Sequence, residues 1–433
     1  MFNNLIDSRP DGRVQSLFGQ LSKIAKATTF IIRERKVTAE GFLLCFLKSI
    51  FNGNASFRQM ASRLGRIDKI SITKQGLWQR VDHTAIAFLL ATLTTALGQR
   101  WKTVSKKQPG LAELFGRILT EDSTQHRFHK GNAKTFKSHG NGKSETAGVK
   151  VDLTIDLLTG QAVDESIHCA TAQDKTLGKD IVDLVKKRDL FLRDMGYFIL
   201  AEFTLIETKL AFWLSRIPAN VLINTPGGQA IEEILQKSEA QTIDMQVTLG
   251  HEAKPARLVA MRTKPEIAEK NLREAKENAR KRGHTLTAAQ KVRCCWHLVA
   301  TNVPAKKMDA QAVADLYTCR WNIEIIFRAW KQGMNLASAL DRKSNEHHLQ
   351  ALVLVAMIYQ VLALGVVELL RAKFERNKGQ VSLEKTFSDF GEFIVESSTL
   401  ARLEDYDPGW LDVRMDPHND REPLILTWLT LLS

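Results

Sequence analysis

Apolar residues in the first 105 or so positions recur at the three- and four-residue spacing of helices, with polar turns between them and no period-two run. Ser56 is placed to cap SFRQMASRL, in which Phe57, Met60, Ala61 and Leu64 share one face and Gly65 offers a stop. A second helix is expected from near Thr73 through ITKQGLWQRVDHTAIAFLLATL. A basic helix, a turn and a helix that starts with polar residues is the layout of a helix-turn-helix, and equally of many helical bundles.

From about residue 115 the period changes to two. GRILTEDST predicts a strand ending in acids, VKVDLTIDLLTGQAVDESIHCA a hairpin turning at Thr159-Gly160, DKTLGKDIVDLVKKR a helix, and DLFLRDMGYF a short buried strand ending at Asp194. Strand, hairpin, helix, strand is the order of a ribonuclease-H-like α/β core. The loop between the first strand and the hairpin carries Arg127, Lys130, Lys134, Lys137, Lys143 and Lys150 against Glu145, with frequent Gly and Ser, so it reads as mobile and suited to phosphate. A helix over Tyr197 to Thr208 and a strand near Ala211 to Leu214 follow. TIDMQVTLG, ARLVAMR and RCCWHLVATNV then read as strands around a charged helix, PEIAEKNLREAKENARKRG, and together as an inserted β domain. DAQAVADLYTCRWNIEIIFRAWKQG reads as one helix, followed by a long apolar helix, His348 to Leu370, and a tail ending in PLILTWLTLL.

Composition narrows the reading. The 433 residues exceed one compact core, and 44% apolar with 25% charged residues is ordinary for a folded globular chain. A net charge of +13 suits a polyanionic partner such as DNA, although a generally basic protein has the same sign. The five cysteines show neither disulfide nor zinc spacing, which fits a reducing cytoplasm. MFNNLIDSRPDGRVQ lacks the apolar centre of an export signal. The uncharged run Ala351 to Val367 is shorter than the roughly 20 residues of a spanning helix and reads as buried core, so no membrane is expected.

Candidate chemistry concentrates at Tyr317, Arg320, Glu324 and Lys331, which on one helix fall within a sector of roughly 60°. Leu316, Cys319, Ile323, Ile326, Phe327 and Trp330 fill the adjoining apolar sector. A carboxylate beside a phenol, a guanidinium and an ammonium can hold a metal while the others grip phosphate oxygens, although a lone Arg320-Glu324 pair would be only a solvated helix pair. YTCRWNIEIIFRAWK fits the pattern Y-x-x-R-x-x-x-E-x-x-x-x-x-x-K, and with it the chain resembles the insertion-sequence family-four transposases of bacteria, cut-and-paste DDE enzymes. EDST resembles that family's first aspartate segment and RDMGYF its second.

The resemblance implies a catalytic and metal-binding triad of Asp122, Asp194 and Glu324, holding two Mg²⁺ ions, with Mn²⁺ as a substitute, on a ribonuclease-H-like α/β core interrupted by a mainly β insertion. It implies DNA contacts from Tyr317, Arg320, Lys331, Arg127 and Lys130, and from Trp296 as a base-stacking residue, although a Trp between Cys295 and Leu298 is as readily core. His126 and His129 are expected at phosphate or solvent rather than on Mg²⁺, which prefers oxygen ligands. The domains then read as 1–105 helical and DNA-end-binding, 106–215 and 300–345 the core, 216–299 the insertion, and 346–433 a helical C-terminal region with a role in dimerisation. The implied partners are double-stranded DNA, as terminal repeats and target, and a second copy of the chain, in the cytoplasm at the nucleoid. A catalytically inactive DNA-binding relic, or a regulator of transposition, is the alternative that keeps the fold without the chemistry.

Overall fold

The computed structural model describes residues 11–32, 37–98, 113–139, 146–159, 161–173, 183–373 and 381–400. Helices α1 (Asp11–Ala27), α2 (Ala39–Phe51), α3 (Phe57–Ile67), α4 (Lys74–Arg80) and α5 (His83–Gly98) come first. Strands β1 (Ile118–Phe128), β2 (Lys137–Ser138), β3 (Thr146–Asp156), β4 (Gln161–Cys169) and β5 (Leu190–Arg193) follow, then α6 (Leu200–Thr208) and β6 (Phe212–Arg216). Next are β7 (Ile223–Asn224), α7 (Ile231–Lys237), β8 (Thr242–Leu249), β9 (Lys254–Arg262), α8 (Pro265–Lys281), α9 (Ala288–Arg293) and β10 (Trp296–Thr301). α10 (Ala310–Thr318), α11 (Asn322–Gly333), α12 (Leu336–Leu340), α13 (Glu346–Lys373) and α14 (Leu383–Glu396) complete the described chain.

The chain divides into two compact units, each assembled from separate stretches. The sheet unit takes residues 108–121 and 173–321, so β1 enters it only as far as Glu121. Its mixed sheet runs β1-β5-β6-β10-β9-β8-β7. β5 lies parallel to β1 and to β6, and each later neighbour is antiparallel. LFLR of β5 is buried at every position, as a parallel strand covered on both faces should be. The strands read from sequence as a separate insertion instead extend this sheet, because β10 pairs with β6 through Val299↔Arg216, Ala300↔Ser215 and Thr301↔Leu214. An otherwise open edge of β6 is thereby closed.

The helical unit takes residues 1–107, 122–172 and 322–427. β3 and β4 form the expected hairpin, with the apolar residues Val149, Val151, Leu153 and Ile155 alternating along β3, and β2 pairs with β3. One apolar cluster extends from Leu17 to Leu400. Its centre is α13, whose most apolar stretch is 94% buried; among the described residues it is the one helix long and apolar enough to cross a membrane, and here it is core. α2, α5 and α14 all pack on it. The N-terminal helices and the C-terminal helices therefore share one core rather than forming the two regions expected, because a helix apolar all round must be covered on every side.

Ser56 caps α3 as expected and Thr73 caps α4 at the expected helix start, accepting from the backbone N–H of Gln59 and Gly76. The long helix expected after Thr73 is broken in two. Asp82 accepts hydrogen bonds from the Thr84 and Ala85 N–H groups at 2.9 and 3.2 Å, which starts a new helix where the spacing alone showed a continuous one. The described start of the basic loop is likewise held in place. Asn132 donates to the Arg342 carbonyl at 2.7 Å and accepts from the Ser344 N–H at 3.2 Å, pinning the turn after β1. The expected helix DKTLGKDIVDLVKKR falls mostly, and the tail PLILTWLTLL wholly, outside the described residues.

Candidate active site

In the sheet unit, Asp194 directly follows β5, at the end of the strand as expected. Two members of the signature converge on it. The Tyr317 hydroxyl donates to Asp194 Oδ1 at 3.4 Å, and Arg320 Nε stands 3.7 Å from the same oxygen. Arg320 is only 12% exposed and Asp194 35%, so the pair is partly withdrawn from water yet open on one side. Burial pushes the Tyr317 phenol well above its ordinary range and the Asp194 charge adds to this, with Arg320 and Arg216 opposing. The phenol is thereby held as a hydrogen-bond donor.

In the helical unit, Asp122 follows Glu121 on β1 and accepts from the Ser123 N–H at 2.8 Å. Lys331 lies within its electrostatic reach: partial desolvation lowers the ammonium's pKa and Asp122 opposes the shift. Lys331 is nonetheless exposed by area, so its charge stays available to solvent or to a phosphate. His126, on the same strand, is 7% exposed and meets the Trp330 ring edge-on at 4.7 Å. Burial, followed by Lys331, pushes its pKa down to about 4, so it is a neutral core residue rather than a solvated phosphate contact. Glu324 is half-buried in the first turn of α11.

The signature does not lie on one continuous helix. A 3-10 turn, Cys319–Trp321, separates α10 from α11. Tyr317 falls before the turn and Arg320 within it, both in the sheet unit, while Glu324 and Lys331 fall after it, in the helical unit. The single sector calculated at 100° per residue does not survive a turn that winds at three residues per turn. Among the described residues no group of three His, Cys, Asp or Glu side chains is gathered as a metal cluster. Asp122 and Glu324 in the helical unit and Asp194 in the sheet unit each offer the carboxylate oxygens that a hard cation takes, and none of the three is sealed from solvent.

A family model described as a transposase DDE domain matches residues 114–361, more than half of the chain and every residue of the expected triad. The chain belongs to the DDE transposase family. Its relatives are transposases of insertion sequences: IS231B of Bacillus thuringiensis subsp. berliner is 27% identical over 338 residues, covering 72% of this chain and 70% of that protein. IS231E of B. thuringiensis subsp. finitimus is 26% identical over 333 residues, with the same coverage of 72% and 70%. IS1151 of Clostridium perfringens is 25% identical over 337 residues, again covering 72% and 70%. A cryo-EM structure of the piggyBac transposase synaptic complex with hairpin DNA overlaps at a TM-score of 0.45 and 10% identity, over 93% of this chain and 83% of that one.

The transposase is thus an enzyme that cuts and transfers DNA strands. Of the residues expected at DNA, Arg127 and Lys130 are exposed. Trp296 is not: it is 3% exposed at the start of β10, with the Arg262 guanidinium 4.4 Å above its ring, so the structure places it in the core. Residue pattern alone did not single out Glu121, Arg193 and Glu202, which form a buried ion network in the sheet unit, beside Asp194. The signal was present, since a charged residue, Arg193, stood immediately before Asp194 in a strand read as buried.

Proposed function

We propose that this insertion-sequence transposase binds the terminal repeats of its element and cuts and joins their strands at a site formed by Asp122, Asp194 and Glu324 with two Mg²⁺ ions. The observation that carries the reading is the convergence of Tyr317 and Arg320 on the Asp194 carboxylate. When bound, the metal pair supplies an activated water or 3′-hydroxyl and stabilisation of the leaving oxygen. The chain's own part is to hold and to orient. Tyr317 and Arg320 fix the Asp194 carboxylate, while exposed Lys331, Arg127 and Lys130 offer positive charge to backbone phosphates without reading sequence. The parallel β1-β5-β6 set and the β3-β4 hairpin support a ribonuclease-H-like core.

End recognition is assigned to the N-terminal helices. α4 exposes Lys74, Gln75, Trp78, Gln79 and Arg80, side chains of the kinds that read base edges or grip phosphates. Transposition joins two ends, so the active form is a dimer, each subunit holding one end, in the bacterial cytoplasm at the nucleoid. The test is cleavage of DNA carrying the element's own ends. Alanine at Asp122, Asp194 or Glu324 should lower the rate by at least about 100-fold with end binding retained; cleavage near the wild-type rate would remove that residue from the triad. Light scattering that finds one subunit per completed strand transfer would remove the dimer.

A further inference from the structure

Arg193 is the last residue of β5, and no part of it reaches solvent. Its Nη2 donates to Glu121 Oε2 at 2.8 Å, and its Nη1 to Glu202 Oε2 on α6. Glu121 is 0% and Glu202 2% exposed. The guanidinium also lies 4.8 Å from the centre of the Phe191 ring and 5.4 Å from that of Tyr197. The Ser215 hydroxyl of β6 donates to the Arg193 carbonyl at 3.1 Å. One side chain therefore ties together β1, β5 and α6, and its own backbone is tied to β6.

The place of this network along the strands matters more than its strength. The parallel register of β1 on β5 runs Ile118↔Leu190, Leu119↔Phe191 and Thr120↔Leu192, and Glu121 and Arg193 are the next residue on each strand. The ion pair continues the ladder by one step, through side chains. Asp194 follows Arg193 directly and its backbone is still extended, so the two side chains point to opposite faces. The network braces that end of β5 from behind.

Stability gives no reason for such an arrangement. Enclosing one guanidinium and two carboxylates removes three charged groups from water, and well-packed apolar residues of similar size do as well or better. We infer that Glu121, Arg193 and Glu202 are positioning residues, which fix the end of β5 that leads into Asp194 and so set the affinity for the divalent metal. This rests on the triad reading above.

The experiment compares the full-length wild type with a triple variant, Glu121→Met, Arg193→Met and Glu202→Met, reading free Mn²⁺ by electron paramagnetic resonance and the fold by urea melting. The triple variant should keep its urea midpoint while its Mn²⁺ dissociation constant rises at least about tenfold. Arg193→Lys keeps the charge but not the two-armed fork, and should give an intermediate rise of about threefold. A folded triple variant that binds Mn²⁺ within about twofold of wild type overturns the inference. If the triple variant does not fold, Glu202→Gln decides, since it keeps the shape and weakens one arm. A rise of about threefold then supports positioning and an unchanged constant overturns it. Asp194→Ala separates the two readings. Loss of Mn²⁺ binding there, with the triple variant unaffected, sinks the network's role alone, whereas full binding in Asp194→Ala sinks the triad and the inference with it.

Discussion

Tyr317 donates to an oxygen of Asp194 that a guanidinium also approaches, so the carboxylate is oriented by two groups rather than one. At 3.4 Å the phenol's bond is a long one, and its loss should be worth about 1 kcal/mol. Tyr317→Phe should therefore slow end cleavage by about fivefold with little change in the urea midpoint, as single-turnover assays would show. Two buried histidines make a separate prediction about pH. His348 is fully buried beside the Phe46 and Phe57 rings, its Nδ1 2.6 Å from the Ser344 hydroxyl, and burial, followed by Arg342, pushes its pKa down to about 3; His126 is down to about 4. Both titrate below the ordinary 6.5, so as pH falls the unfolded chain takes up these protons first. Their contribution to stability is complete above about pH 6.5 and is lost toward pH 4 and 3, by up to about 1.4 kcal/mol per histidine and pH unit. Urea midpoints should fall between pH 7 and 4.5, and less steeply in His348→Gln; a flat profile in the wild type would contradict this.

Among the elements, α14 packs on α2 through Gly391, where an added Cβ would collide with the Phe51 ring. Gly391→Ala should destabilise the helical unit by about 1 to 3 kcal/mol, measurable by urea denaturation, even though alanine is the better helix former. Elements of this kind were legible where one local rule decided them. The hairpin came from alternation and a Thr-Gly turn, α3 from its Ser56 cap, and α13 from an apolar run too long to lie exposed. The strand ending just before Asp194 was legible for the same reason, whereas β1 continues through Asp122 to Phe128 where a strand ending in acids was expected. The breaks were not. A pattern spaced for helix continues through Val81 and Asp82, and through Cys319–Trp321, because three residues of tighter winding barely change the spacing of apolar positions. For the site, residue types and spacing identified Tyr317 and Arg320, and the family resemblance identified Asp194. That the first two meet the third depends on the 3-10 turn, and the turn had no signature. Trp296 shows the opposite difficulty, since only the sheet around it and the overlying Arg262 decide between core and base contact.

On the scale of the whole molecule, the helical unit is drawn from three separate stretches of chain and its centre is the late helix α13. Hydrophobic spacing shows how much of α2 and α5 must be covered, but not by what, so the first 105 residues read as a domain of their own. The structure predicts otherwise. A fragment of residues 1–105 should show no cooperative thermal transition by circular dichroism, because Phe42, Phe46 and Phe88 would lose the core they share with α13; a sharp two-state melt would contradict this. The same arrangement puts a clock on synthesis. α5 ends at residue 98 and α13 begins at residue 346. At roughly 5 to 20 residues per second a ribosome needs about 12 to 50 seconds to make the chain between them. Throughout that interval the finished N-terminal helices wait without their partner, with apolar faces open to water and to chaperones. A chain cut short before α13 leaves them in that state for good, so a truncated copy of this gene should yield a protein that aggregates or is degraded rather than one that lingers as a soluble DNA-binding competitor.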